Sequence, residues 1–430
     1  MSIEDLGKPV VLLANNGFVN DAHSAASSKG IPGIRVIGTP IACESTDQND
    51  IEPGIEGAMD KIVDALTKPL TQDEASPKSR TEPEPRIAFK GSVQEVNNFF
   101  YRKGWSDGLP ILPPTEAAVA EMMTGTDLPA DHVVTKMIPR GGYATVEKIA
   151  VNAVMAGALP VHMPVIIAAV EALSDQRTRY DTFQVSTGSW APFFLINGPV
   201  RTDIHINGSS GAMSPGNIAN AAIGRAVGLI SKNIGGARKG IEDMGVLGNP
   251  GKWSLVVGEN EEESPWEPHH VSNGYKKEDS VLTVFFPNQF RQSIPGQTTP
   301  EGIATGWADM RPGALSALLV NSDQAKLLSF AGWSKQRVRD FIIEQNRPAP
   351  KPKPREGILP TDTGFAFFGR GLQNEDFLLV VAGGPGSFFG LLSSAGGFNN
   401  SFVSKEIKLP ANWDKLVAKY RNMVPNYVIY

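Results

Sequence analysis

The chain has 430 residues, 41% of them hydrophobic and 20% charged, enough apolar material for a sizeable core and too much for wholesale disorder. The 40 Lys and Arg against 45 Asp and Glu leave a net charge of -5, which argues against a nucleic-acid footprint or a polybasic membrane patch. One cysteine, Cys43, excludes a disulfide scaffold and any cysteine-based metal site within the chain.

Residues 1–70 read as a small parallel α/β lobe. Strands are expected at Pro9–Leu13 and Ile34–Ile37, and helices at Phe18–Lys29 and Ile55–Leu66, the second with Ile55, Met59, Ile62, Val63 and Leu66 on one face. Residues 71–90, rich in Pro, Glu, Ser and Lys, read as a linker. A larger mixed main domain follows over 91–347. Its helices are announced by a capping box at Ser92 and a cap at Thr115, and continue over Thr145–Ala156, Met163–Leu173, Asn217–Lys232 and Ser334–Gln345. Its strands are expected at Phe193–Asn197, Trp253–Gly258 and Ser280–Phe286. The Pro-rich run 348–360 is a second linker, and 361–430 a short C-terminal α/β piece led by the strand Phe377-Leu-Leu-Val-Val. No repeat at a solenoid period is present. The fold class is therefore α/β, or mixed α+β.

The N-terminus lacks a basic leader, and no apolar run reaches the ~18 residues that span a bilayer, so a cytoplasmic protein away from membranes is expected. The free thiol agrees with a reducing compartment. With no Lys, Arg or His beside it in sequence, Cys43 reads as an inert small apolar residue.

Several segments carry groups suited to chemistry. The Gly/Ser loop from Asn207 to Asn217 leads straight into a helix, where free backbone N–H groups and the dipole favour a carboxylate. Ser209, Ser210, Ser214, Asn217, Asn220 and Arg225 are the candidate substrate-binding residues there; Ser214 also reads as an N-cap, with Pro215 at the first helical position. The loop Gly258–His270 puts glutamates next to histidines, a general acid/base arrangement favoured over a metal site, with Trp266 holding the loop. Asp107, between Trp105 and Pro110, is a second candidate acid/base. Ser189 offers a hydroxyl before the Phe193 strand, and Gly383-Gly-Pro-Gly-Ser is a further glycine loop. No dinucleotide fingerprint, P-loop or nucleophile elbow occurs, so no cofactor is expected.

Stretches including Asp107-Gly-Leu-Pro-Ile-Leu-Pro-Pro-Thr, Ile196-Asn-Gly-Pro-Val-Arg, Asn220-Ala-Ala-Ile-Gly-Arg-Ala, Gly248-Asn-Pro-Gly-Lys and Glu259-Asn-Glu-Glu-Glu-Ser-Pro-Trp resemble an uncharacterised bacterial family associated with, or fused to, UGSC-family (seleno)proteins. Residues 8–70 are similar to the second half of a UGSC domain; the half that would carry its cysteine or selenocysteine is absent, and Ala158 stands where the resemblance implies a cysteine. The resemblance implies a small Cys- or Sec-containing partner subunit, and favours His270 over His269. The expected function is an enzyme, or the large subunit of one, acting on a small polar or carboxylate-bearing molecule by lyase, hydratase or hydrolase chemistry. His270 would transfer the proton, Glu261 orient it, and Asp107 assist. The alternative is a non-catalytic binding subunit that completes a site whose nucleophile lies on the partner. An oligomer is expected in either case, because two strands make a poor independent sheet.

Overall fold

The computed structural model describes residues 7–28, 30–31, 33–43, 45, 47–75, 85–312, 315–346, 377–394 and 401–424. It has a mixed α/β architecture. The N-terminal lobe holds two parallel strands, β1 (Val11–Asn15) and β2 (Arg35–Thr39), paired Val11 to Arg35. The expected helix over 55–66 divides into Gln48–Glu56 and Met59–Thr67, with Gly57 and Ala58 between them. The lobe touches the main body where the Ser24 hydroxyl donates to Glu242 at 2.5 Å. Burial pushes the Glu242 carboxyl up, but hydrogen bonds from Arg238 and Ser24 outweigh it and hold the group below its ordinary value. Cys43 is exposed, not packed as a small apolar residue. Residues 76–84 of the first linker and all of the second lie outside the described residues.

In the main body, caps fall where the sequence places them: Ser92 closes a full capping box on Val93–Arg102, and Thr115, Thr145 and Ser334 each accept a backbone N–H from their helices. A two-stranded hairpin, β3 (Val133–Met137) with β4 (Gly142–Thr145), precedes the central strands. In the first large sheet, β5 (Phe193–Asn197) lies between parallel β6 (Val256–Gly258) and antiparallel β7 (Val281–Phe285). The second sheet contains β8 (Gln289–Ser293), β9 (Ser316–Val320), β10 (Phe377–Val381) and β11 (Phe389–Ser393). There β9 lies between parallel β10 and antiparallel β11. The edge of the first sheet, beyond β7, is β12 (Val403–Glu406), and that of the second, beyond β11, is β8.

The two sheets are thus built to one plan. One row of the first sheet reads Val257–Leu195–Thr283–Ser404, and the matching row of the second reads Val380–Leu319–Gly390–Gln292. Each half of the chain supplies three strands to its own sheet and sends its fourth to the other's. The described strands of the stretch from 361 onward, read from sequence as a short C-terminal α/β piece, are divided between both sheets of the main body. Among the described residues the pairing plan occurs twice.

Alternation along the strands sets the layers. Phe193, Leu195, Val257 and Phe285 pack against Ala317, Leu319, Val380 and Leu392 between the sheets. The opposite face of the first sheet, with Phe194, Ile196, Leu282 and Val284, packs on Val146–Met155, Met163–Leu173 and Ile218–Asn233. The opposite face of the second, with Leu318, Val320, Leu379 and Leu391, packs on Pro300–Asp309, Ser322–Phe330 and Lys335–Gln345. Helices therefore cover both outer faces of a two-sheet core.

Candidate functional site: a buried carboxylate and histidine cluster

The matched halves separate what serves the fold from what one half carries alone. At the ends of the central strands stand Asn197, the last residue of β5, and Asn321, just past β9, both buried. Asn321 caps the next helix by accepting from Gln324 N–H at 2.9 Å. After the parallel partner strands, the Glu259 N–H donates to Ile196 O and the Ala382 N–H to Val320 O, so a glutamate in one half answers to an alanine in the other. Two residues on, Glu261 answers to Gly384, whose Cα faces Ser210 so closely that a Cβ would lie 1.8 Å from the Ser210 hydroxyl. The acidic side chains belong to the first half alone.

They sit at the carboxyl ends of parallel β5 and β6, the end of such strands where ligands gather. Glu259 is fully buried, and its Oε2 accepts from Asn197 Nδ2 at 2.6 Å and from the His269 N–H at 2.7 Å. Glu261 Oε1 accepts from the Gly198 N–H at 2.8 Å, from Asn197 Nδ2 at 3.1 Å and from Arg201 Nε at 3.1 Å. The rest of the Arg201 guanidinium forks onto Glu262 at 2.9 and 3.2 Å, which holds that carboxyl below its ordinary range. Lys335 Nζ lies 3.7 Å from Glu259 Oε1. His270, with no exposed surface, places Nδ1 3.9 Å from Glu261 Oε1. Burial, with Lys335 and Arg339 nearby, pushes the His269 imidazole down to about 3, so it stays neutral; its Nε2 meets Asn273 Nδ2 at 2.9 Å. Trp266 anchors the loop as its sequence position suggests: it is buried and donates from its indole to Trp333 O at 3.0 Å.

Gly198 makes the tight approach possible. It has φ +83°, and a Cβ there would lie 2.1 Å from the Asp279 carbonyl oxygen. Gly198→Ala is expected to cost about 1–3 kcal/mol, read as a lowered thermal-unfolding midpoint.

Of the expected site residues, His270 and Glu261 come together. Asp107 and Arg225 do not join them: they form a bidentate pair at 2.8 and 2.9 Å that pins the 107–110 loop, with Arg225 also bonding Pro110 O. Asn220 does not face a cleft. It clamps both backbone groups of Asn207 and bonds Val256 O, so its amide is fully engaged by the fold. Ser214 is not the N-cap, because the helix starts at Ile218 with Asn217 in that position and no side-chain cap. Asn217 lines a recess of 10 Å³ with His162, His205 and Tyr420. Ser209, Ser210 and Ser214 are exposed.

Ser189 lies at the opposite end of β5, where its hydroxyl accepts from the Gly248 N–H at 3.0 Å, beside a 680 Å³ groove lined by Met213, Leu247, Asn249 and Phe290. Sequence reading missed Asn197, Arg201, Glu259 and Lys335. The first two were within reach, since Asn-Gly ends a strand and Arg201 follows one turn later. Lys335 is brought in from a distant helix. Among the described residues no three His, Cys, Asp or Glu side chains group as metal ligands, and no helix is long and apolar enough to cross a membrane. No family model, curated protein or solved structure matches the chain.

Proposed function

We propose that the chain is an enzyme, or the large subunit of one, that moves a proton on a small polar molecule at the Glu259–Glu261–His270 cluster, in lyase, hydratase or hydrolase chemistry. The observation that carries this reading is His270: fully buried, beside an oriented carboxylate, with neither ring nitrogen hydrogen-bonded among the described residues. A histidine kept only for packing would normally have its polar atoms satisfied. Glu261 is fixed by three donors and its 3.9 Å approach to Nδ1 can close when substrate binds, as catalytic hydrogen bonds do. Nε2 then takes or gives the proton, with Glu261 stabilising the imidazolium.

The test is incubation of the full chain with a metabolite extract, followed by mass spectrometry. His270→Gln should slow depletion of the consumed compound by about 10²–10⁴-fold with the circular dichroism spectrum unchanged. Equal depletion by this variant would refute the assignment.

The second reading, a large subunit completed by a small Cys- or Sec-containing partner, is favoured by the N-terminal lobe. Its sheet has two strands, with Leu12 39% and Leu13 38% exposed. Two parallel strands leave edges that another chain can pair with. Depletion that requires co-purified small subunit would select this reading.

A further inference from the structure

The groove at the far end of β5 from the cluster is used by neither the fold nor the proton-transfer reading. It measures 680 Å³, within the roughly 300–1,000 Å³ of cavities that hold small molecules. Met213, Val246, Leu247 and Phe290 wall it, and all four are exposed, so an apolar surface is held open to water. Its frame is set in advance. Ser189 and Gly248 both stand in the left-handed region, at φ +59° and +73°. Three bonds close the loop: Val246 N–H to Thr187 O at 3.0 Å, Gly248 N–H to Ser189 Oγ at 3.0 Å and Asn249 Nδ2 to Ser189 O at 2.9 Å. Two features define what fits. First, no lining residue is Asp, Glu, Lys, Arg or His. Asp243 and Lys252, on the flanking loop, are paired with each other at 2.6 Å, and the Arg291 guanidinium on β8 is bonded to Met310 O. A charged group entering here would lose water and meet no counter-ion. Second, the polar groups left over are donors. Ser189, 7% exposed, accepts from Gly248 and among the described residues has no acceptor for its own hydroxyl hydrogen. Gln289 accepts from Ser393 Oγ through Oε1 at 3.3 Å, and its NH₂ has no partner among the described residues. A group that only accepts is the match for them.

We propose that this groove is a second binding site, for an uncharged, largely apolar small molecule that carries a carbonyl oxygen: a ketone, an ester or a neutral amide. The Ser189 hydroxyl donates to that oxygen while its own oxygen keeps the Gly248 N–H, and the apolar walls cover the remainder. Ser189, singled out in the sequence as a hydroxyl for a substrate, thus serves a ligand away from the acid/base residues. The site stands or falls independently of the Glu259–Glu261–His270 cluster.

The experiment uses the full chain with ¹³C-methyl methionine and three probes on one phenyl-ethyl body: the ketone benzylacetone, the carboxylate hydrocinnamate and the cation phenylpropylammonium. The Met213 methyl resonance, identified as the one absent from Met213→Leu, reports the groove. Benzylacetone should move it saturably. Hydrocinnamate, in which an anionic oxygen replaces the ketone's methyl group, and phenylpropylammonium should each bind about tenfold or more weakly. Ser189→Ala should weaken benzylacetone by about two- to tenfold, the loss of one neutral hydrogen bond. Because that variant also releases the Gly248 N–H, Phe290→Ala, which leaves the loop bonds in place, is measured beside it; removing that wall should weaken benzylacetone by about threefold or more. Unchanged binding in Ser189→Ala overturns the carbonyl contact, and unchanged binding in Phe290→Ala overturns the groove as the place of binding. Equal binding of the three probes overturns the uncharged class. A Met213 signal that no probe moves overturns the site. A Met213 signal that shifts with protein concentration alone overturns it as well, since a second copy then fills the groove.

Discussion

Between pH 7 and 5 the chain is expected to lose about 4 kcal/mol of stability, about 2 from each of two buried histidines. His162 and His269 are 2% and 8% exposed, and burial lowers both imidazoles from 6.5 to about 3. The unfolded chain takes up protons at these rings as the pH falls below 6.5, while the folded chain refuses them until about 3, so acid pulls the equilibrium toward unfolding. Native-state carboxylates held low by cations act in a lower window. Glu74, held at about 2 by Arg35, costs nothing until the pH passes below its ordinary value of 4.5. Urea unfolding at pH 7, 6 and 5 separates the two windows. His162→Gln, which can keep an acceptor for the Leu159 N–H, should remove about half of the early loss. A constant free energy from pH 7 to 5 would show that the two rings are hydrated in the folded state.

Arg201→Met is expected to destabilise the fold by about 3–5 kcal/mol, the cost of leaving a buried charge without its partner. The guanidinium is 6% exposed and serves two carboxylates of unequal exposure. Glu262, 58% exposed, can turn to water once released; Glu261, 12% exposed, cannot. The double variant Arg201→Met/Glu261→Gln should therefore recover part of the loss, while Arg201→Met/Glu262→Gln should recover little. Chemical denaturation of the four proteins checks this. Equal recovery in both pairs would mean that the 259–262 loop relaxes as a unit and exposes Glu261 as well.

Local signals were legible in the sequence and long-range ones were not. The caps at Ser92, Thr115, Thr145 and Ser334, and the apolar runs at Phe193–Asn197 and Phe377–Val381, each reflect chemistry within a few residues, and the structure repeats them. The strand Gln289–Ser293 is four-fifths polar and exposed on the sheet edge; only its pairing with β11 makes it a strand. Phe389–Ser393 contains a glycine and a serine and is fixed by neighbours on both sides. The doubled plan is invisible in sequence because the halves share little more than Leu-Ile-Asn against Leu-Val-Asn at their central strands. In the site, His270 and Glu261 are nine residues apart and were found together. Asp107 and Arg225 are 118 apart, and their mutual pairing gave no sign along the chain.

The exchange of β8 and β12 ties the halves together as a reciprocal clasp. Neither half can finish its own sheet, since the last strand of each lies on the other. An isolated half would have one sheet short of an edge strand and one unpaired strand with no sheet to join, so neither is an autonomous folding unit. Native pairing must await the synthesis of Val403–Glu406, near the end of the chain, which raises contact order and favours slow folding. The same clasp protects the finished molecule. A cut in the exposed stretch 296–299, between the halves, severs the backbone and leaves both crossed strands in place, so the nicked protein stays a single particle until it is unfolded.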